Sequence, residues 1–65
     1  MDPTACYRDM LTSLKDGDND AAREHALNLQ RWLNGGGFCP QGQDIVALRS
    51  QLARVLRMTA AQHNK

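Results

Sequence analysis

The fold of this chain is decided by ten residues that cannot be helical throughout, Asn34-Gly35-Gly36-Gly37-Phe38-Cys39-Pro40-Gln41-Gly42-Gln43. Three consecutive glycines and a proline interrupt any helix. Outward from this stretch, Asp16-Gly17-Asp18 marks a second and shorter interruption. Asp2-Pro3 marks a helix start, because Asp is a good N-cap and Pro suits the first helical position. The sequence therefore predicts helices over residues 3–16, 19–34 and 45–61, with a Gly-rich loop at 35–43.

Each predicted helix carries an apolar stripe at helical spacing. The stripes are, in chain order, Tyr7, Met10, Leu11 and Leu14; Ala22, Ala26, Leu29 and Leu33; and Ile45, Leu48, Leu52, Val55 and Leu56. Asp18 and Asp44 are expected to cap the second and third helices, and Gly17 to end the first. The short turn at Gly17 makes the first two helices antiparallel. The expected fold is all-α, a small three-helix bundle of one domain over residues 1–65, in which a helical hairpin is covered by a third helix.

The composition limits the core and the classes of partner. The chain has 65 residues with one Trp, one Tyr and one Phe, and so short a chain buries only about 60% of its unfolded surface. Domains of this size often gain stability by oligomerising or by docking on a partner. The net charge is +1, which argues against strong attraction to nucleic acid or to an anionic membrane. The charge is uneven, with −2 over residues 1–43 and +3 over residues 44–65.

No targeting or membrane segment is recognisable in the sequence. No apolar run approaches the ~20 residues that span a bilayer. The N-terminus lacks the basic and apolar regions of a secretory signal. The expected compartment is the cytoplasm, and a mature secreted form stays open as the alternative.

The first two helices resemble a known hairpin. The run Gly17-Asp18-Asn19-Asp20-Ala21-Ala22, followed by Ala26 and Leu29, is similar to the turn and second helix of a tetratricopeptide repeat. The resemblance covers residues about 5–34 and implies a role in protein binding. Met10 departs from the small residue of the pattern, and Asn34 stands where a Pro often ends the repeat. Only one copy is present, whereas such arrays need about three repeats for stability.

Four apolar residues are candidate protein contacts. Leu27, Val46 and Met58 fall outside the stripes, and Phe38 lies in the loop. Phe38 has two interpretations, an exposed anchor on a flexible loop or a ring that folds back to close the core beneath Trp32. The second is favoured, because so small a core needs every aromatic side chain. The spacing of Ile45, Leu48, Leu52 and Val55 would also suit self-association, although a core face is the simpler interpretation.

Metal binding and catalysis find little support in the sequence. Cys6, His25, Cys39 and His63 are far apart and form no close pair of zinc ligands. The two cysteines form either a disulfide or, as the absence of a secretory signal favours, two inert thiols. Cys39 with His25 is the one nucleophile–base pair that can be named, and the connection from helix 2 keeps them apart. Asp16, Asp18 and Asp20 resemble part of a calcium loop, but its sixth and twelfth positions hold Ala21 and Leu27. No catalytic, metal or cofactor site and no small-molecule substrate are therefore expected.

The predicted function is a small non-catalytic protein-interaction module whose partner is another protein or a second copy. The alternative is a small nucleic-acid-binding or regulatory protein. Ser50, Arg54 and Arg57 would share one outer face of helix 3 and could lie against phosphates. The long connection before helix 3 does not fit a helix-turn-helix, whose turn has about 3–4 residues. Protein interaction is therefore favoured over nucleic-acid binding.

Overall fold

The part of the chain that the structure describes folds into three α-helices, and an aspartate caps the start of each. In the computed structural model, which describes the backbone of residues 2–63 and the side chains of residues 2–60, α1 spans Pro3–Lys15, α2 spans Asn19–Asn34 and α3 spans Ile45–His63. The carboxylate of Asp2 accepts hydrogen bonds from the backbone N–H groups of Thr4 and Ala5. Asp18 accepts from Ala21, and Asp44 accepts from the two residues at 46 and 47. All three predicted caps are confirmed.

The first two helices end at glycines with left-handed backbone. Gly17 has φ +78° and Gly36 has φ +90°, a region that costs glycine nothing. At α1, the N–H of Asp18 reaches back to the carbonyl of Ser13, at 2.8 Å. At α2, the N–H of Gly37 makes the equivalent bond to Trp32, also at 2.8 Å. Both ends are Schellman motifs, which satisfy carbonyls that the helix itself leaves free.

The all-α three-helix bundle predicted from the sequence is confirmed, with α2 as its central helix. α2 packs against both α1 and α3. Within the described helices no Cα of α1 lies within 8 Å of a Cα of α3. The core consists of Cys6, Met10, Ala22, Ala26, Leu29, Leu33, Leu48, Leu52 and Val55.

Polar side chains fix how the helices lie against each other. The Tyr7 hydroxyl donates to Gln51 Oε1 at 2.9 Å and bridges α1 to α3. Arg23 donates from α2 to the Leu56 carbonyl at 2.9 Å and to the fully buried Thr59 hydroxyl at 3.3 Å. Arg23, near the start of α2, thus meets the later part of α3, whereas Asn34, at the end of α2, accepts from Arg49 near the start of α3. α3 is therefore antiparallel to α2 and parallel to α1. The loop and the starts of α1 and α3 therefore share one end of the bundle, called the loop end below.

Two residues of the predicted stripes are more exposed than expected. Leu11 and Ile45 are each 39% exposed, although the sequence placed them on core faces. The inner line of α1 instead runs through Pro3, Cys6 and Met10, all of which are buried. Leu11 lies about 100° from Met10 around the helix. The stripe of α1 is too wide for all of its residues to face α2, so Leu11 at its outer edge stays partly in solvent.

Candidate functional site

The loop from Gly35 to Gln43 is held in place at several points along its length. Trp32 Nε1 donates to the Phe38 carbonyl at 2.8 Å. Pro40 is fully buried, and Cys39 packs against the core. The backbone N–H of Gln41 donates to Thr4 Oγ1 at 3.0 Å, which ties the loop to the start of α1. The loop is therefore an ordered strap across the end of the bundle.

Phe38 is presented to solvent by this strap. Its ring contacts Trp32 edge to face, with centroids 5.5 Å apart and an interplanar angle of 86°. The side chain is nevertheless 68% exposed. Phe38 does fold back onto Trp32, but the prediction that it closes the core is wrong, because Leu33 and Pro40 already fill that end. Val46, 70% exposed, lies at the same end of the bundle on the first turn of α3.

The remaining candidate contacts are distributed over other faces. Met58 is 50% exposed on α3. Leu27 is half-buried, so it is less available than the sequence suggested. It lies between Arg23 and Asn34 on α2, and both of those residues bond to α3. The docking of α3 thus covers part of a side chain that looked misplaced on an isolated helix.

A second region of exposed apolar side chains lies where α1 and α3 face each other. We call it the α1–α3 seam and define it by Tyr7, Leu11 and Leu14 of α1 with Gln51 and Met58 of α3. The α1 residues follow i, i+4, i+7 spacing and the α3 residues are seven apart, so each set shares one helix edge. The Tyr7–Gln51 hydrogen bond shows that these two edges face each other. Sequence reasoning missed this region because it assigned Leu11 to the core.

The basic candidates for nucleic-acid contact are exposed. Ser50, Arg54 and Arg57 all lie in solvent on the outer side of α3. α3 contains no acidic residue along Ile45–His63. Arg49, by contrast, is engaged, because its Nη1 donates to Asn34 Oδ1 at 3.0 Å. Two free arginines and a serine make a small basic face.

The cysteines are free thiols with different surroundings. Cys6 Sγ donates to the His25 carbonyl at 3.4 Å and lies 4.0 Å from His25 Nδ1. The neighbour of His25 is thus Cys6, whereas the sequence could name only Cys39. Burial, and then the negative charge of Asp9, raises the pKa of the Cys6 thiol. A nucleophilic cysteine needs a lowered pKa. The pKa of Cys6 is shifted in the opposite direction, so the thiol beside His25 is held in its unreactive, protonated form.

The described residues offer no metal centre or membrane span. In residues 2–60 no three side chains of His, Cys, Asp or Glu lie close enough together to hold a metal ion. Along the described helices none is both long and apolar enough to cross a bilayer. No protein-family model, curated protein or solved structure matches this chain.

Proposed function

We propose that this protein is a non-catalytic protein-interaction module that binds through its loop end. The observation that carries the proposal is Phe38, which is fixed in position yet 68% exposed. Aromatic anchors on ordered segments bind well, because little conformational entropy is lost when they are covered. Val46 adds a second exposed apolar side chain at the same end. We further propose the cytoplasm as its compartment, in keeping with the two free thiols.

The test is affinity capture from extracts of the cells that make the protein. Immobilised wild type is compared with Phe38→Ser, and Ala53→Ser serves as the matched control because Ala53 is exposed on α3 away from the loop. We expect at least one protein retained by wild type and control and lost with Phe38→Ser. Light scattering across concentration shows whether that protein is a second copy. Equal retention by all three baits would contradict a role for the loop end.

The second candidate function is nucleic-acid binding by the outer face of α3. It is favoured by the exposure of Ser50, Arg54 and Arg57 on a helix without acidic residues. Two or three phosphate contacts give weak binding that falls steeply with salt. A mobility shift at low salt, abolished by Arg54→Gln with Arg57→Gln, would support it. A lack of binding to duplex and single-stranded probes at low salt would eliminate it.

A further inference from the structure

We propose that the α1–α3 seam is a second docking surface, and that its occupant is an acidic amphipathic helix of another protein. This surface is distinct from the loop end, so the inference goes beyond the proposed function. Leu11, 39% exposed, and Met58, 50% exposed, provide its apolar contacts. Tyr7 and Leu14, both half-buried, line the space between them.

The shape of the seam suits a helix. α1 and α3 run parallel, and their Cα atoms stay more than 8 Å apart in the described chain. α1 has 13 residues, which at 1.5 Å per residue is a track of about 20 Å. An amphipathic helix in such a track presents anchors at i, i+3 or i+4, and i+7. Docked there, it would complete a four-helix arrangement around the existing core.

The charges along the seam select an acidic occupant. Arg8 and Lys15 flank Leu11 at i−3 and i+4 on α1, and Arg54 precedes Met58 by one turn on α3. All three side chains are exposed. Asp9 lies on the opposite side of α1, where its charge acts on Cys6. Basic side chains therefore line both sides of the seam, which we call its banks.

The same charges argue against a second copy. Two copies joined at this surface would bring basic banks together, which costs free energy. Asp2 and Asp44, the acids that cap the two helices of the seam, already accept backbone hydrogen bonds. Nucleic acid fits less well than a helix, because Leu11 and Met58 between the cations would lie against phosphates. The apolar centre with basic banks instead matches a helix with a leucine face and glutamate flanks.

The experiment uses fluorescence anisotropy with defined probes and the full chain. The main probe is a labelled synthetic peptide with leucines at helical spacing and glutamates on both flanks. A second peptide has lysine in place of every glutamate, and a third probe is single-stranded DNA. We expect saturable binding of the acidic peptide only, weakened about tenfold by Leu11→Gln and by Met58→Gln. Thr12→Gln and Ala53→Gln, at exposed positions outside the seam, are the matched controls.

A charge reversal tests the electrostatic part of the proposal. Arg8→Glu with Arg54→Glu should weaken binding of the acidic peptide and create binding of the lysine peptide. Circular dichroism and urea unfolding of each variant establish that it is folded. The proposal is overturned if the acidic peptide does not bind, if the Leu11 and Met58 variants bind as the controls do, or if DNA binds in its place. Capture through Phe38 does not involve the seam, so either proposal can fail alone.

Discussion

At the scale of single residues, the backbone at Gly37 packs directly against the indole ring of Trp32. A Cβ at residue 37 would overlap the indole ring of Trp32, whereas one at Gly35 would meet backbone oxygens no closer than 3.4 Å. The absence of a side chain at 37 lets the strap lie flat against the ring. This contact keeps Trp32 where its N–H reaches the Phe38 carbonyl. The third glycine of the run thus has a packing role that a helix stop alone does not need.

Gly37→Ala is expected to lower the free energy of unfolding by about 1–3 kcal/mol, because overpacking forces the indole ring aside. It should also break the Trp32–Phe38 hydrogen bond. Urea unfolding followed by tryptophan fluorescence measures both effects. Gly35→Ala is the control, with an expected change within about 0.5 kcal/mol. Equal stability of the two variants would show that the strap does not depend on this contact.

The two thiols are expected to react at different rates. Cys6 is 8% exposed, and burial raises its pKa above the ordinary value of 9.0, whereas Cys39 is half-buried at the surface. Because the thiolate is the reactive form, a thiol reagent at pH 8 should label Cys39 first and Cys6 only on unfolding. Peptide mapping by mass spectrometry distinguishes the two sites. Faster labelling of Cys6 would contradict its burial.

The raised pKa of Cys6 also predicts how stability depends on pH. The folded protein holds this proton where the unfolded chain releases it, so unfolding is favoured as the pH rises. The contribution of Cys6 is fully present below pH 9.0 and is lost as the pH rises from there through the raised value. Cys6→Ser removes this thiol, and its urea midpoint should therefore fall less steeply above pH 9.0 than that of the wild type.

At the scale of elements, the start of each helix depends on one carboxylate. Asp44 accepts hydrogen bonds from the backbone N–H groups of Val46 and Ala47, both at 3.1 Å. It directly follows the strap and fixes the start of α3. Asp16, at the end of α1, lies near the negative end of its helix. An aspartate therefore stabilises a helix at its N-terminus, as Asp44 does, and destabilises it at its C-terminus, where Asp16 lies.

Asp44→Ala is expected to destabilise the protein by about 1 kcal/mol, the usual cost of losing an N-cap. Asp16→Ala should be neutral or slightly stabilising, because it removes a negative charge from a helix C-terminus. Thermal unfolding followed by circular dichroism compares the two. A loss of equal size in both variants would contradict this assignment, because neither a lost N-cap nor the helix dipole accounts for a loss at Asp16.

Helical spacing predicted the elements well and the exposure of single side chains less well. Leu48, Leu52 and Val55 are buried as expected, whereas Ile45 on the same stripe is 39% exposed. The stripe of α3 meets α2 along its middle, and the first turn projects past that contact. Thr59, which extends the stripe only weakly in sequence, is fully buried because Arg23 and the Val55 carbonyl satisfy its hydroxyl.

At the scale of the whole molecule, the accessible surface is that expected for a compact chain of this size. Its accessible surface is 4263 Å², close to the roughly 4,100 Å² that the size relation gives for a folded monomer of 7.2 kDa. A helix that had to swap into a second copy would leave a larger surface on the single chain. The core is thin but complete, and the exposed apolar side chains lie around it.

The thermal midpoint is expected not to change when protein concentration is varied about a hundredfold, because the core residues are buried within a single chain. Circular dichroism at low and high concentration, with light scattering at each, provides the measurement. A midpoint that rises with concentration would show that assembly contributes to folding. That result would also favour a second copy as the partner at the loop end.

The sequence by itself determined the number of helices, their limits to within two residues, their caps and their glycine ends. These features depend on neighbours within about one turn, which the sequence displays directly. Only the tertiary structure decided that Phe38 stays exposed on an ordered strap, that Leu27 is half-covered, and that Cys6 is the neighbour of His25. It also decided that α1 and α3 remain apart, leaving Leu11 and Met58 open. Such outcomes depend on the angle and register at which whole helices pack, and no local pattern of residues specifies those.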